Sequence, residues 1–151
     1  MKLNNSMSWY QLDKDKEKFV TLFFGIIDPK TGYMRYANAG HPSPLIKHEN
    51  GLVEWVNNVP GLPLGITAES EYENGHIDLV ENDVLIFYTD GIIEAHTKDR
   101  WFGSENLAKL VSSVDLPPDD LVNTIYKATS DFIGDRIPDD VALVVAKLEP
   151  L

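Results

Sequence analysis

The chain has 151 residues, 43% hydrophobic and 25% charged, with no cysteine and a formal net charge of -11 from 13 Lys and Arg against 24 Asp and Glu. That length suits one domain burying roughly 68–70% of its unfolded-chain surface, and the apolar content excludes intrinsic disorder. Missing thiols exclude disulfides, thiolate zinc sites and a cysteine nucleophile, while the acidic balance argues against nucleic acid as a partner. No apolar run approaches the ~18 residues of a membrane span. Met1 to Gln11 has no apolar core of signal-peptide type, so a cytoplasmic location is expected.

Phe19 to Ile27 is almost wholly apolar and rich in aromatic and β-branched residues, which predicts a strand buried on both faces. Asp28-Pro29-Lys30-Thr31-Gly32 is turn chemistry, and Tyr33 to Ala39 reads as the returning strand. Pro44 to Lys47 and Leu52 to Val56 flank His48-Glu49-Asn50-Gly51 as a second hairpin. Gly61 to Gly65 reads as a constrained loop, and Tyr72 to Leu79 as a weaker strand. Val84 to Tyr88 is another buried strand, ending in Thr89-Asp90-Gly91.

Two helices follow. Ser104 can cap the first, which runs to about Val114 with Leu107, Leu110 and Val111 on one face. Pro117-Pro118-Asp119-Asp120 opens the second, with Leu121, Ile125 and Phe132 on its buried stripe; acids in the first turn suit the helix dipole. Pro138-Asp139-Asp140 then leads into a last strand, Val141 to Leu148. The expected fold is α+β, a layered sandwich of mainly antiparallel sheet flanked by helices. Two helices are few to cover strands buried on both faces, so an incomplete domain is expected over residues 18–149, after an N-terminal segment at 1–17.

Asp90 stands at the C-terminal end of one apolar strand, and Asp139 and Asp140 at the N-terminal end of another. Were those strands antiparallel neighbours, the carboxylates would meet at one rim of the sheet. Clustered carboxylates need a shared cation or proton, and hard oxygen ligands select Mg²⁺ or Mn²⁺. Ordinary turn chemistry is the alternative, since Asp-Gly and Pro-Asp are common in loops. Around this core, Gly91 and Glu94 are candidates to ligate or to support the ligands, or are simply loop residues. His41 is a candidate phosphate contact or a turn-stabilising residue, and Asn38 a candidate bond to the Asp90 loop or a structural one. His48, His76 and His96 read as surface residues, and Trp101 and Phe102 as core anchors for the first helix.

Six motifs stand in order: Phe19-Val20-Thr21-Leu22-Phe23, Tyr36-Ala37-Asn38-Ala39-Gly40-His41-Pro42, Gly61-Leu62-Pro63-Leu64-Gly65, Tyr88-Thr89-Asp90-Gly91-Ile92-Ile93-Glu94-Ala95, Trp101-Phe102-Gly103 and Asp139-Asp140-Val141-Ala142-Leu143-Val144-Val145. Together, from about Lys18 to Leu148, they closely resemble the bacterial sporulation-stage-II-E class of metal-dependent serine/threonine phosphatases. The resemblance implies two Mn²⁺ or Mg²⁺ ions held by Asp residues and a water that attacks a phosphoserine or phosphothreonine phosphorus in line. By that match Asp90 and Asp139 are metal ligands, with Asp140 the alternative to Asp139. The family also carries a Gly-Asp pair in its first half whose Asp bridges both metals. Here the one Gly-Asp, Gly134-Asp135, follows the second helix, so the bridging ligand is expected to be missing and the chain to match the C-terminal portion of such a domain. The implied substrate is a phosphorylated partner protein, an anti-sigma-factor antagonist in partner switching. A non-catalytic interaction module on the same fold is the rival reading. Lost sheet partners would leave Phe19, Leu22, Phe23, Phe24 and Ile26 uncovered, which predicts a homodimer through that region.

Overall fold

The computed structural model describes residues 19–56, 59, 61–134, 137 and 139–149. In chain order these form β1 (Leu22–Ile27), β2 (Tyr33–Ala39), β3 (Leu45–Lys47), β4 (Val53–Trp55), β5 (Gly75–Asp78), β6 (Val84–Tyr88), α1 (Asp90–Ile93), α2 (Gly103–Ser113), α3 (Pro118–Ile133) and β7 (Leu143–Lys147). They fall into two units, one drawn from residues 1–43 and 57–78, the other from 44–56 and 79–151. The segment expected at residues 1–17 lies outside the described residues.

The first unit is an antiparallel sheet in the order β1-β2-β5. Its first hairpin follows from the turn residues. The Asp28 carboxylate accepts the Lys30 amide at 2.9 Å, and Gly32, at φ 72°, donates its N–H to the Asp28 carbonyl at 2.9 Å. The register pairs Ile27 with Met34 and Leu22 with Ala39, and strand alternation buries Met34 and Tyr36 on one face of β2. The Phe23 and Tyr36 rings stack at 5.3 Å. One expectation fails here. β1 is the outermost described strand of its sheet, not a doubly buried one: Phe24 is 58% exposed and Ile26 54%, while Leu22 and Phe23 are half-buried. Aromatic and β-branched richness encodes an extended backbone; burial requires a covering layer, and every described helix belongs to the other unit.

The second unit orders its strands β4-β3-β6-β7, all antiparallel. Val84–Tyr88 forms the buried β6 that its composition predicts. Leu45, Ile86, Tyr88 and Ile92 join Leu107 and Val111 of α2 and Leu121 and Ile125 of α3 in one core. Phe102 is buried there, edge-on to Phe132 at 5.6 Å. α3 begins at Pro118, carries Asp119 and Asp120 in its first turn, and ends at Gly134 in the left-handed conformation. Two antiparallel sheets with helices on the second make an α+β fold.

Other boundaries shift. α2 begins at Gly103 with no side-chain cap, so Ser104 lies inside the helix; Asn106 instead donates its amide to the Phe102 carbonyl at 2.7 Å. The expected strand at 72–79 contracts to β5. Trp101 is no core anchor, being 60% exposed. His48 is not a free surface residue: Nδ1 lies 2.9 Å from Oδ1 of the buried Asp83 and Nε2 lies 3.1 Å from Glu54 Oε1. Burial disfavours its imidazolium, but hydrogen bonds and charge from Asp83 and Glu54 outweigh this and raise its pKa above the ordinary histidine value.

Candidate metal-binding rim

β6 and β7 are antiparallel neighbours, with Tyr88 opposite Leu143. The end of one strand therefore lies beside the approach to the other, and Thr89 extends the pairing past both. Its N–H donates to the Ala142 carbonyl at 3.0 Å. Its hydroxyl donates to the Asp140 carbonyl at 3.1 Å and accepts the Ala142 amide at 2.9 Å. Those bonds tie residues 140–142 to the residue preceding Asp90.

Gly91 allows the two segments to close up. A Cβ there would stand 2.7 Å from the Asp140 carbonyl oxygen, closer than real side chains come, and a tight 3.3 Å from Val141 Cγ2. Asp90 opens the one-turn helix α1, a feature absent from the sequence reading, and its carbonyl accepts the Glu94 amide at 2.7 Å. Asp90, Glu94, Asp139 and Asp140 are all exposed. The Asp90 carboxylate accepts the Gly91 amide at 3.1 Å and that of Asp139 the Asp140 amide at 2.7 Å. None of these four acids is in an ion pair among the described residues.

Two carboxylates from adjacent strand ends, both solvent-facing and neither matched by a cation among the described residues, suit a hard divalent ion by donor chemistry. They supply part of a ligand set. Among the described residues no group of three or more His, Cys, Asp or Glu converges as a metal site.

Asn38 and His41 belong to the first unit, and their bonds are local. The Asn38 amide donates to the His41 carbonyl at 2.8 Å while its oxygen accepts the His41 N–H at 2.8 Å, so both ends of the side chain close a turn. Of the two roles offered for Asn38, these local bonds are the structural one. His41 Nδ1 lies 3.2 Å from the Thr21 hydroxyl. Sequence reasoning passed over Thr89, whose signal was its place between an apolar strand and Asp-Gly.

A family model described as stage II sporulation protein E (SpoIIE) matches residues 2–149. The chain belongs to the SpoIIE family. Among curated relatives of this SpoIIE-family chain, Protein IcfG of Synechocystis is 30% identical over 100 residues, covering 66% of the chain and 16% of that protein. Phosphoserine phosphatase RsbU of Bacillus subtilis is 23% identical over 134 residues, covering 88% of the chain and 40% of that protein. The chain thus spans well under half of either relative. Among solved structures, the PP2C phosphatase domain of the cell fate determinant SpoIIE from Bacillus subtilis, with a fragment of its regulatory domain, aligns with a TM-score of 0.77 at 23% identity. That match covers 96% of this chain and 42% of the other. The fold is accordingly that of PP2C-type phosphatase domains.

Proposed function

We propose that this chain contributes the Asp90 and Asp139 carboxylates to a Mn²⁺- or Mg²⁺-dependent phosphatase acting on phosphoserine or phosphothreonine of a cytoplasmic partner protein. The observation that carries the reading is the Thr89 tie, which fixes Asp90 beside the segment bearing Asp139 and Asp140. Family membership supports it, and so does the printed activity of RsbU. By the same kinship the substrate is an anti-sigma-factor antagonist in partner switching.

Bound divalent ions supply the acidity that makes water nucleophilic at neutral pH and the charge that offsets phosphoryl oxygens. The protein's own part is to hold the ligands in place. Asp90 and Asp139 present oxygens, Thr89 fixes the spacing of the two segments, and Gly91 permits their approach. Asp140 is the second candidate ligand beside Asp139, and Glu94, one turn after Asp90, stands where it can support the ligands through solvent.

The test is hydrolysis of a chromogenic phosphate ester and a phosphoserine protein with Mn²⁺. We expect slow turnover, because no third carboxylate joins this pair among the described residues. Supporting partners of a ligand are commonly worth 10–100-fold, so Asp90→Asn or Asp139→Asn should each cost roughly a hundredfold or more. Turnover unchanged in both variants would remove the ligand assignment and favour the interaction-module reading. Fast turnover abolished by both would overturn the incompleteness of the site.

We further infer self-association through β1. Phe19, Phe24 and Ile26 are exposed, and among the described strands β1 is the outermost of its sheet. Covering each such side chain recovers roughly 1.5–3 kcal/mol, and a two-fold contact does so in both copies. Light scattering at micromolar concentration should report a dimer that Phe24→Lys dissociates. A 17 kDa species independent of concentration contradicts it.

A further inference from the structure

Beside Asp139 and Gly91 lies a small pocket of about 190 Å³, completed by Glu94, Ala95, His96 and Trp101. It opens on the hairpin joining α1 to α2, which is firmly built. Phe102 donates its N–H to the Ala95 carbonyl at 2.7 Å, Thr97 donates to Arg100 at 2.8 Å, and His96 and Trp101 form a bridge between them. The His96 and Trp101 rings lie 4.6 Å apart, and His96 Nδ1 is 2.9 Å from the Glu94 carbonyl. A tryptophan 60% exposed on so fixed a backbone is held out to solvent by the local structure.

The lining names the chemistry of the occupant. Among the described residues two carboxylates, Glu94 and Asp139, border the pocket and no Lys or Arg does. Arg100, beside Trp101 in the chain, has its guanidinium 5.6 Å from the Phe132 ring centroid. A purely apolar guest would strip water from these carboxylates without replacing its hydrogen bonds. A guanidinium satisfies both features at once, stacking its plane on the indole and presenting N–H groups to a carboxylate, while its methylene stem covers the apolar wall. The volume suits one side chain, not a peptide segment.

We propose that Trp101 and Glu94 form a subsite for an arginine side chain near the phosphoresidue of the substrate polypeptide. This rests on the reading of the Asp90–Asp139 rim as the place where the phosphoryl group is held. Both are positioning residues for substrate in this role, and Trp101 takes no part in the hydrolytic step.

The experiment uses the full chain with Mn²⁺ and fluorescently labelled peptides that carry arginine, leucine or glutamate scanned through the positions flanking serine. Each peptide is made in phosphorylated and unphosphorylated form. Cation–aromatic contacts at exposed sites are worth about 0.5–1 kcal/mol, so arginine at its preferred position should tighten binding roughly two- to fivefold over leucine. Trp101→Ala and Glu94→Gln should each erase that preference, and Trp101→Phe should restore part of it. Trp101 is exposed, so circular dichroism of its variants should match the parent. Leucine binding as tightly as arginine, or an arginine preference surviving both substitutions, overturns the proposal. The two readings separate cleanly. Arginine preference in the unphosphorylated series without phosphopeptide hydrolysis retains the subsite and removes the phosphatase reading, whereas hydrolysis without side-chain preference does the reverse.

Discussion

Gly91→Ala is expected to lower the thermal unfolding midpoint by several degrees, and Gly91→Val by more. The added Cβ meets the Asp140 carbonyl oxygen at 2.7 Å and the Asp140 carbonyl carbon at 3.3 Å, both of them backbone. Neither segment yields freely. Thr89 holds Asp140 and Ala142 through three hydrogen bonds, and Gly91 sits in α1 beside the core residue Ile92. Overpacking of this kind costs typically 1–3 kcal/mol, which for a chain of this size corresponds to about 2–4 °C per kcal/mol. Hydrogen exchange at the Ala142 amide gives a local reading, because that N–H is held by the Thr89 hydroxyl. Faster exchange there, with protection unchanged at Leu85 and Ile86 of β6, would show that the rim opens before the sheet. A melting midpoint within a degree of the parent would mean that the close approach carries no load.

Asp83→Ala should be the most costly polar substitution in the second unit. The carboxylate is only 1% exposed, accepts the Val80 amide at 3.0 Å, and pairs with His48 at 2.9 Å. Removing one member of a buried ion pair costs about 3–5 kcal/mol; His48 is partly accessible and can regain water, so the lower end of that range is expected. The pH dependence has a definite sign. Asp83 and Glu54 raise the folded pKa of His48 above the unfolded value despite the opposing effect of burial. The stability gained from its charge is therefore fully present below the unfolded pKa and is lost as pH rises through the folded one. Denaturant unfolding across that window should find the gap between parent and Asp83→Ala narrowing with pH without closing, since neutral imidazole still donates an N–H to Asp83. An NMR titration of His48 at or below the ordinary histidine value would refute the argument.

How much of this could be read from the chain depends on the range of the interaction. Hairpins were legible because Asp28 and Gly32 encode their turn locally, and the helix faces because Leu107, Val111, Leu121 and Ile125 repeat at helical spacing. The pairing of β6 with β7 was conditional in the sequence, and the register made it definite. Coverage was not legible: the composition of β1 specifies a strand whether or not a layer lies over it. His48 and Asp83 stand 35 residues apart, so no spacing rule joins them. Trp101 misled because aromatic residues beside a glycine at a helix start usually turn inward, and here Phe102 alone fills the core. At the rim, Asp90 and Asp139 were singled out by their strand ends, whereas Thr89 and the crowding at Gly91 needed coordinates.

Asp90 and Asp139 are proposed to face one divalent cation together. Substoichiometric Mn²⁺ added to isotope-labelled protein tests it most directly, because paramagnetic broadening reports proximity even where affinity is weak. Amide signals of residues 89–91 and 139–141 should broaden first, and Asp90→Asn or Asp139→Asn should each abolish the effect at both segments. Broadening centred on other acids, with these six amides unaffected, would contradict it.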